Sequence, residues 1–361
     1  MSHVPRFRSV VLIGALAAAT VACGSGDDDD ATTTTVAETT TTTEATTTTA
    51  EETTTTAVAL PTAPLTGLEV DAGTDLDRPA LVVKIDNHRQ ARPQAGLGVA
   101  DIVFELRVEG ITRFAAVFHS SDAEVVGPVR SARTSDPPFV TAFGTPLFAN
   151  SGGNPTVMSA VRSADLIDVG HGSAAGGEYY RESGRPGTHN LMTSTEALFG
   201  YAPEDGPPVS MPFTLAADGG TGGEAVPGVS IDYGARVQFV WDDAAGGWVR
   251  FQDGVRTVDS DDRTIAPGNV VVLDTVYGTS AADRGSPEAQ TVGEGGATVL
   301  GVDGTMRTGT WTRADADAPW VITGADGGEI VLGPGRTWVE MPRAGRTTPL
   351  DATVAADLLA S

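Results

Sequence analysis

ALVVKIDNHRQARPQ, residues 80–94, changes character half way along. Leu81-Val82-Val83-Lys84-Ile85 is a short apolar run rich in β-branched residues, which suits a buried strand better than a helix. Asp86, Asn87, His88, Arg89, Gln90, Arg92 and Gln94 follow, so the strand ends in ionisable and amide side chains. Folds commonly present a binding site in this way, at the edge of a sheet. Lys84 is the only lysine among 23 basic residues. A compact ammonium that tolerates desolvation does a job arginine does poorly. The competing reading is a chance survivor on an outward strand face.

Working outward, Ala100–Val108 and Ile111–His119 flank Glu109-Gly110 and read as a β-hairpin with one buried face, carrying Glu105, Arg107, Arg113 and His119. Gly127–Thr134 leads into Pro137-Pro138, which is expected to break any helix. Pro146–Asn150 reads as a strand that ends in the loop Ser151–Pro155. Thr156–Leu166 has helical spacing, and Thr193–Phe199 has a capped helix start. Residues 63–205 therefore predict a mixed α/β domain.

Residues 228–343 change to short strands separated by Gly and Asp. Arg236–Asp242 and Gly247–Gln252 pair across 243–246, Ala297–Val302 and Met306–Thr312 flank Asp303-Gly304, and Asn269–Tyr277 is strongly β-forming. This predicts a smaller, mainly-β domain, a barrel or sandwich. It holds all five tryptophans, Trp241, Trp248, Trp311, Trp320 and Trp338, which fit its core better than a sugar-stacking stripe. Residues 344–361 read as a tail with a short helix. The fold class expected is α+β, two folded domains in 361 residues.

Ahead of them lie a targeting segment and a stalk. Arg6 and Arg8 precede the apolar run Val10–Ala19, too short for a bilayer span of about 20 residues. Ala22-Cys23-Gly24 resembles a lipobox, with Thr20 where a larger aliphatic residue is usual. Residues 1–23 are thus expected to be a bacterial lipoprotein signal, with Cys23, the only cysteine, as the lipidated residue. The expected location is extracytoplasmic, on the membrane surface. Residues 24–61 are Asp- and Thr-rich with almost no apolar content, so they are expected to stay disordered as a stalk. The 47 acidic against 23 basic residues argue against a general nucleic-acid binder.

Several motifs in order carry a family resemblance: KIDNHRQARPQAGLGVADIVFE from Lys84, EGITRF from Glu109, VGPVRSART from Val126, NSGG from Asn150 and RPGTHNLMTSTEAL from Arg185. Together they resemble the N-terminal domain of the YerB-like bacterial lipoproteins, a family of unknown function. Residues 228–342 resemble its C-terminal domain more loosely. The resemblance implies a lipid-anchored envelope protein with two folded domains, and it brings no catalytic residues.

The candidate site residues within those motifs are Lys84, Asp86, Asn87, His88, Arg92, Glu105, Arg113, Arg130, Arg133, His189 and Asn190. Guanidinium forks converging with amides suit a carboxylate or phosphate, and the spacing of Arg130 and Arg133 would set both on one face of a helical turn. The competing reading is a structural ion-pair network in which Glu105 and Asp86 answer the arginines. No metal site and no cofactor are expected, since His88, His119, His171 and His189 are scattered and no HExxH motif occurs. No GxSxG or SxxK motif is present either. The function expected is binding or regulation in the envelope, with an anionic wall component or envelope protein as partner. The alternative is a hydrolase or transferase acting on a wall glycan, peptide or phosphodiester through Asp86, Glu105 and a histidine.

Overall fold

The computed structural model describes residues 59–361; the expected signal segment, Cys23 and nearly all of the expected 24–61 stalk lie outside the described residues. Strand β1 is Leu81–Asp86, and the expected hairpin forms from β2 (Ile102–Arg107) and β3 (Thr112–Phe118). Next come α1 (Asp136–Val140), β4 (Leu147–Ala149), α2 (Pro155–Ser163) and β5 (Ile167–Asp168). A ribbon of β6 (Tyr180–Arg181) and β7 (Leu191–Met192) precedes α3 (Thr195–Phe199), which Ser194 caps through the Ala197 N–H.

The second segment opens with β8 (Glu224–Ala225), β9 (Gly228–Asp232), β10 (Arg236–Asp242), β11 (Gly247–Gln252) and β12 (Val255–Arg256). Then follow β13 (Asn269–Leu273), the hairpin β14 (Tyr277–Thr279) and β15 (Pro287–Ala289), and β16 (Gly293–Leu300) with β17 (Thr305–Arg313). The chain closes with β18 (Val321–Gly324), β19 (Thr337–Met341), β20 (Thr347–Pro349) and α4 (Ala352–Leu359).

The second segment does not close into a barrel of its own. Its strands divide between an eleven-stranded sheet, ordered β18-β17-β16-β13-β19-β2-β3-β1-β4-β5 with β8 added on β17, and a five-stranded sheet, β12-β11-β10-β9-β20. The joint between the segments is the parallel pairing of β19 with β2, which sets Glu340 opposite Glu105. The reason is legible in the residues: β13 and β19 are buried along their whole length, as strands covered on both faces must be.

Side-chain alternation divides the core. Leu81, Val83 and Ile85 of β1 join Phe114, Phe239, Trp248 and Trp338 on the face covered by the five-stranded sheet. Val82 joins Phe104, Phe139, Phe148, Trp311 and Trp320 on the face covered by α1 and α2. Four tryptophans are fully buried and Trp241 partly so. The 344–361 segment contributes β20 to the smaller sheet, and Ala355 and Leu358 of α4 cover Val240, Val249 and Phe251. Pro137 and Pro138 do not break a helix but begin one, at positions of α1 whose N–H groups need no helical partner.

Candidate functional site

The large sheet brings the carboxyl ends of β1, β4, β5, β2, β19 and β13 to a single edge, with the amino end of β3 among them. Ligands of open sheets with parallel strands bind outside such carboxyl ends. Where β1 reaches this edge its polar residues part company. Lys84 and Asp86 follow Val82 onto the helix-covered face, while Asn87 turns to the other face and meets Glu105.

On the helix-covered face Asp86, only 1% exposed, is the hub. Its Oδ1 accepts the His88 N–H at 3.0 Å, and its Oδ2 lies 2.6 Å from His189 Nδ1 and 3.1 Å from Arg130 Nε. His88 stacks on His189, with ring centroids 4.5 Å apart and planes 14° from parallel. Arg130 reaches this position because residues 128–132 are extended, not helical. The Asp86 N–H donates to Pro128 O and the Arg130 N–H to Lys84 O, while the Ser151 N–H donates to Arg130 O. The helical turn expected for Arg130 and Arg133 is therefore absent, since backbone pairing with β1 and the 150–153 loop outcompetes it.

Arg133 instead grips Glu109 with both arms of its fork, at 2.7 and 2.9 Å. Ser286 also donates to that carboxylate, and Arg113 lies 3.8 Å from it. Burial pushes the Glu109 carboxyl up, but the Arg133 and Ser286 hydrogen bonds outweigh it and bring it down to about 2. Lys84 is fully interior, 2.7 Å from Asp136, so the outward-face reading of this residue is wrong. Burial pulls its ammonium below the usual lysine range, and Asp136 opposes that pull. Asn190 accepts from Arg181 Nη1 at 2.8 Å, beside the ribbon that delivers His189.

On the opposite face Asn87 donates to Thr112 Oγ1 at 2.7 Å and to Glu105 Oε1 at 3.3 Å. It accepts from Arg92 Nε at 3.2 Å and from Gln94 Nε2 at 3.3 Å. Glu105, wholly buried, takes Arg250 Nη2 at 2.8 Å. Glu340 is equally buried beside it, and neither of its oxygens has ordinary hydrogen-bond geometry, although Glu105 and Tyr233 flank it. Burial first, then the neighbouring Glu105, raise the Glu340 carboxyl well above the usual range, with Arg250 pulling the other way. Glu105 is thus the anion of an interior ion pair, unable to meet a substrate from solvent. The sequence reading missed Arg250, Glu340 and Tyr233. A charge inside an otherwise apolar strand, as at Glu340 in TWVEM and Arg250 in GWVRF, is the signal that marks those two; Tyr233, in the turn after β9, carries none.

The sequence-predicted residues therefore separate. Asp86, His88, His189 and Arg130 come together at the surface edge; Arg133 is committed to Glu109, while Arg113 donates to Ser131 O at 3.1 Å and lies near the same carboxylate; Asn87, Arg92 and Glu105 belong to the buried joint. Arg130 is the arginine with its fork left open, and among the described residues its two Nη groups have no hydrogen-bond partner. An imidazole held by a buried carboxylate beside an open guanidinium can bind an anion or accept a proton. Among the described residues no three His, Cys, Asp or Glu converge in a way that could hold a metal ion.

Two family models match the chain. Residues 65–207 match "Protein of unknown function (DUF3048) N-terminal domain", and residues 229–339 match "Protein of unknown function (DUF3048) C-terminal domain". The chain is similar to "Putative lipoprotein YerB" of Bacillus subtilis (strain 168), with 28% identity over 289 residues, 77% of this chain and 85% of the relative. The crystal structure of the YerB protein from Bacillus subtilis superposes with a TM-score of 0.69 at 26% identity, covering 81% of this chain and all of that one.

Proposed function

The chain belongs to the DUF3048 family, whose N- and C-terminal domains have no assigned function, and on that premise we propose that it is a lipid-anchored binding or regulatory module of the bacterial envelope. The anchor reading is supported by the lipoprotein name of the Bacillus subtilis relative, by the Val10–Ala19 run and by Cys23. The binding site is the edge beyond β1, where Arg130 offers its open fork and the His88–His189 pair supplies imidazole donors. Its ligand carries an ionised carboxylate or phosphate, as on a peptidoglycan stem peptide, a lipid-linked phosphate or an acidic loop of an envelope protein.

The observation that carries this reading is the contrast among the arginines. Arg133 is held by Glu109 through both arms, and Arg113 is buried with its Nη1 on Ser131 O, whereas Arg130 meets Asp86 with Nε alone and is 26% exposed. Asp86 is shared among His189, His88 and Arg130, so it orients the cation without saturating it. Thermal denaturation of the full chain against peptidoglycan monomers and phosphorylated wall fragments tests the reading. At least one class should raise the melting temperature of the wild type and fail to raise that of Arg130→Gln. If no fragment stabilises the wild type, the binding reading falls.

One observation favours a second reading, hydrolysis with His189 as general base. The 2.6 Å contact between Asp86 Oδ2 and His189 Nδ1 fixes the imidazole and frees its Nε2 for a proton, as in acyl-transfer sites. Glu105 takes no part, being sealed against Arg250. Among the described residues no serine, threonine or cysteine donates to His189, so the nucleophile of this reading is water. Product release from wall fragments that disappears in His189→Gln would favour it over binding alone.

A further inference from the structure

Farther along the same edge, on the face opposite Asp86, Arg107 and, far from it in sequence, Arg343 and Arg346 line one cavity. Strands β2 and β19 lie parallel and end together, with Met341 opposite Leu106, so Arg107 leaves one and Arg343 follows the other. The β9–β10 turn closes the cavity with Asp232, Tyr233 and Gly234, and Arg346 completes it; the volume is about 240 Å3. In a chain of formal net charge −24, this grouping of three cations with a single carboxylate runs against the general balance.

That carboxylate is already engaged. Asp232 accepts the Gly234 N–H at 2.7 Å and Arg346 Nη1 at 2.9 Å. Arg107 is fixed by two neutral contacts: its Nη1 donates to Tyr233 O at 3.1 Å, and its backbone N–H donates to Tyr277 Oη at 3.1 Å. Neither contact offsets its charge. Among the described residues Arg107 and Arg343 form no salt bridge, and Asp232 is the one carboxylate lining the cavity, so three guanidinium charges face a single anion.

We propose that this cavity binds a phosphate group. A carboxylate would answer only one of the two free charges, whereas a phosphate monoester carries about −1.5 to −2 at neutral pH and offers three acceptor oxygens to planar forks. The volume admits a phosphate with a small substituent, and the position outside the carboxyl ends of parallel strands is where such folds place ligands. Two sources share this chemistry in the envelope: a soluble phosphorylated wall fragment and the headgroup of a phospholipid.

Titration calorimetry of the full chain with inorganic phosphate and with glycerol 3-phosphate, against chloride of matched ionic strength, tests the proposal. The Cys23→Ala chain, without its proposed anchor, is tested in parallel on phosphatidylcholine vesicles with and without phosphatidic acid. Arg343→Gln is the diagnostic variant, because the side chain is exposed and forms no salt bridge among the described residues, its guanidinium lying 6.0 Å from the Tyr277 ring centroid; a melting temperature measured beside the titration checks that the variant is folded. The expected result is binding in the soluble or the vesicle arm that weakens about tenfold or more in Arg343→Gln. Arg130→Gln, on the other face, should leave the Arg343-dependent part of that binding unchanged, so this site and the Arg130 site succeed or fail separately. The arm in which binding is seen identifies the source. Binding no stronger than chloride in both arms, or equal binding by wild type and Arg343→Gln, overturns the proposal.

Discussion

Glu340→Gln should stabilise this protein, increasingly so as the pH rises. In the buried joint two carboxyls, Glu105 and Glu340, face one guanidinium, Arg250, and all three are sealed from solvent. Glu340 is the surplus acid, raised well above its ordinary 4.5 by burial first and by Glu105 second. The folded state therefore holds its proton where the unfolded state has released it. Stability from this group is complete below about pH 4.5 and is lost as pH climbs toward the folded value. Within that window each pH unit costs about 1.4 kcal/mol. Glutamine keeps the shape and donates to Glu105 as the protonated acid would, yet it has no proton to lose. Urea denaturation at several pH values from 5 to 8 should show the variant gaining on the wild type by about 1.4 kcal/mol per unit inside the window. A constant offset between the two curves, or a variant that weakens with rising pH, would refute the claim that Glu340 is the proton-holding partner.

Asp136→Asn should cost about 3–5 kcal/mol in the same denaturation assay, since it strands the Lys84 ammonium in the core, and Lys84→Met in that background should recover most of the loss. Arg133→Gln should cost only about 1 kcal/mol, because Glu109 is one-third exposed. It should also flatten the acid limb, as Glu109 stabilises above its unfolded 4.5 and ceases to do so as pH falls through about 2. Cys23→Ala should move the protein from the membrane fraction to the soluble one; retention on the membrane would contradict the anchor.

What could be read ahead of the structure depended on how local the cause was. The β2–β3 hairpin, β1 and the Ser194 cap rest on period-two alternation, a tight turn and a capping hydroxyl, all within a few residues. The same alternation could have warned that Asp86 and Asn87 point to opposite faces, which divides the candidate residues. Arg130 and Arg133 misled because three-residue spacing implies a shared helical face only where a helix exists, and here the backbone pairs with β1 instead. The Glu105–Arg250–Glu340 cluster had no local cause, since its members meet through β19 inserting beside β2, and a one-residue change of register would have dispersed them. For the same reason the two sequence segments looked separable although one sheet runs through both.

The central claim is that Arg130, and not the equally prominent Arg133, meets the ligand. The most direct test is the affinity of wild type, Arg130→Gln and Arg133→Gln for the peptidoglycan disaccharide-peptide monomer, taken together with the melting temperature of each. Arg130→Gln should bind about ten- to a hundredfold more weakly, the worth of one charge-assisted contact, and melt like the wild type, while Arg133→Gln should melt earlier and bind normally. Undiminished affinity in Arg130→Gln, or a loss of stability there with binding retained, would contradict the account.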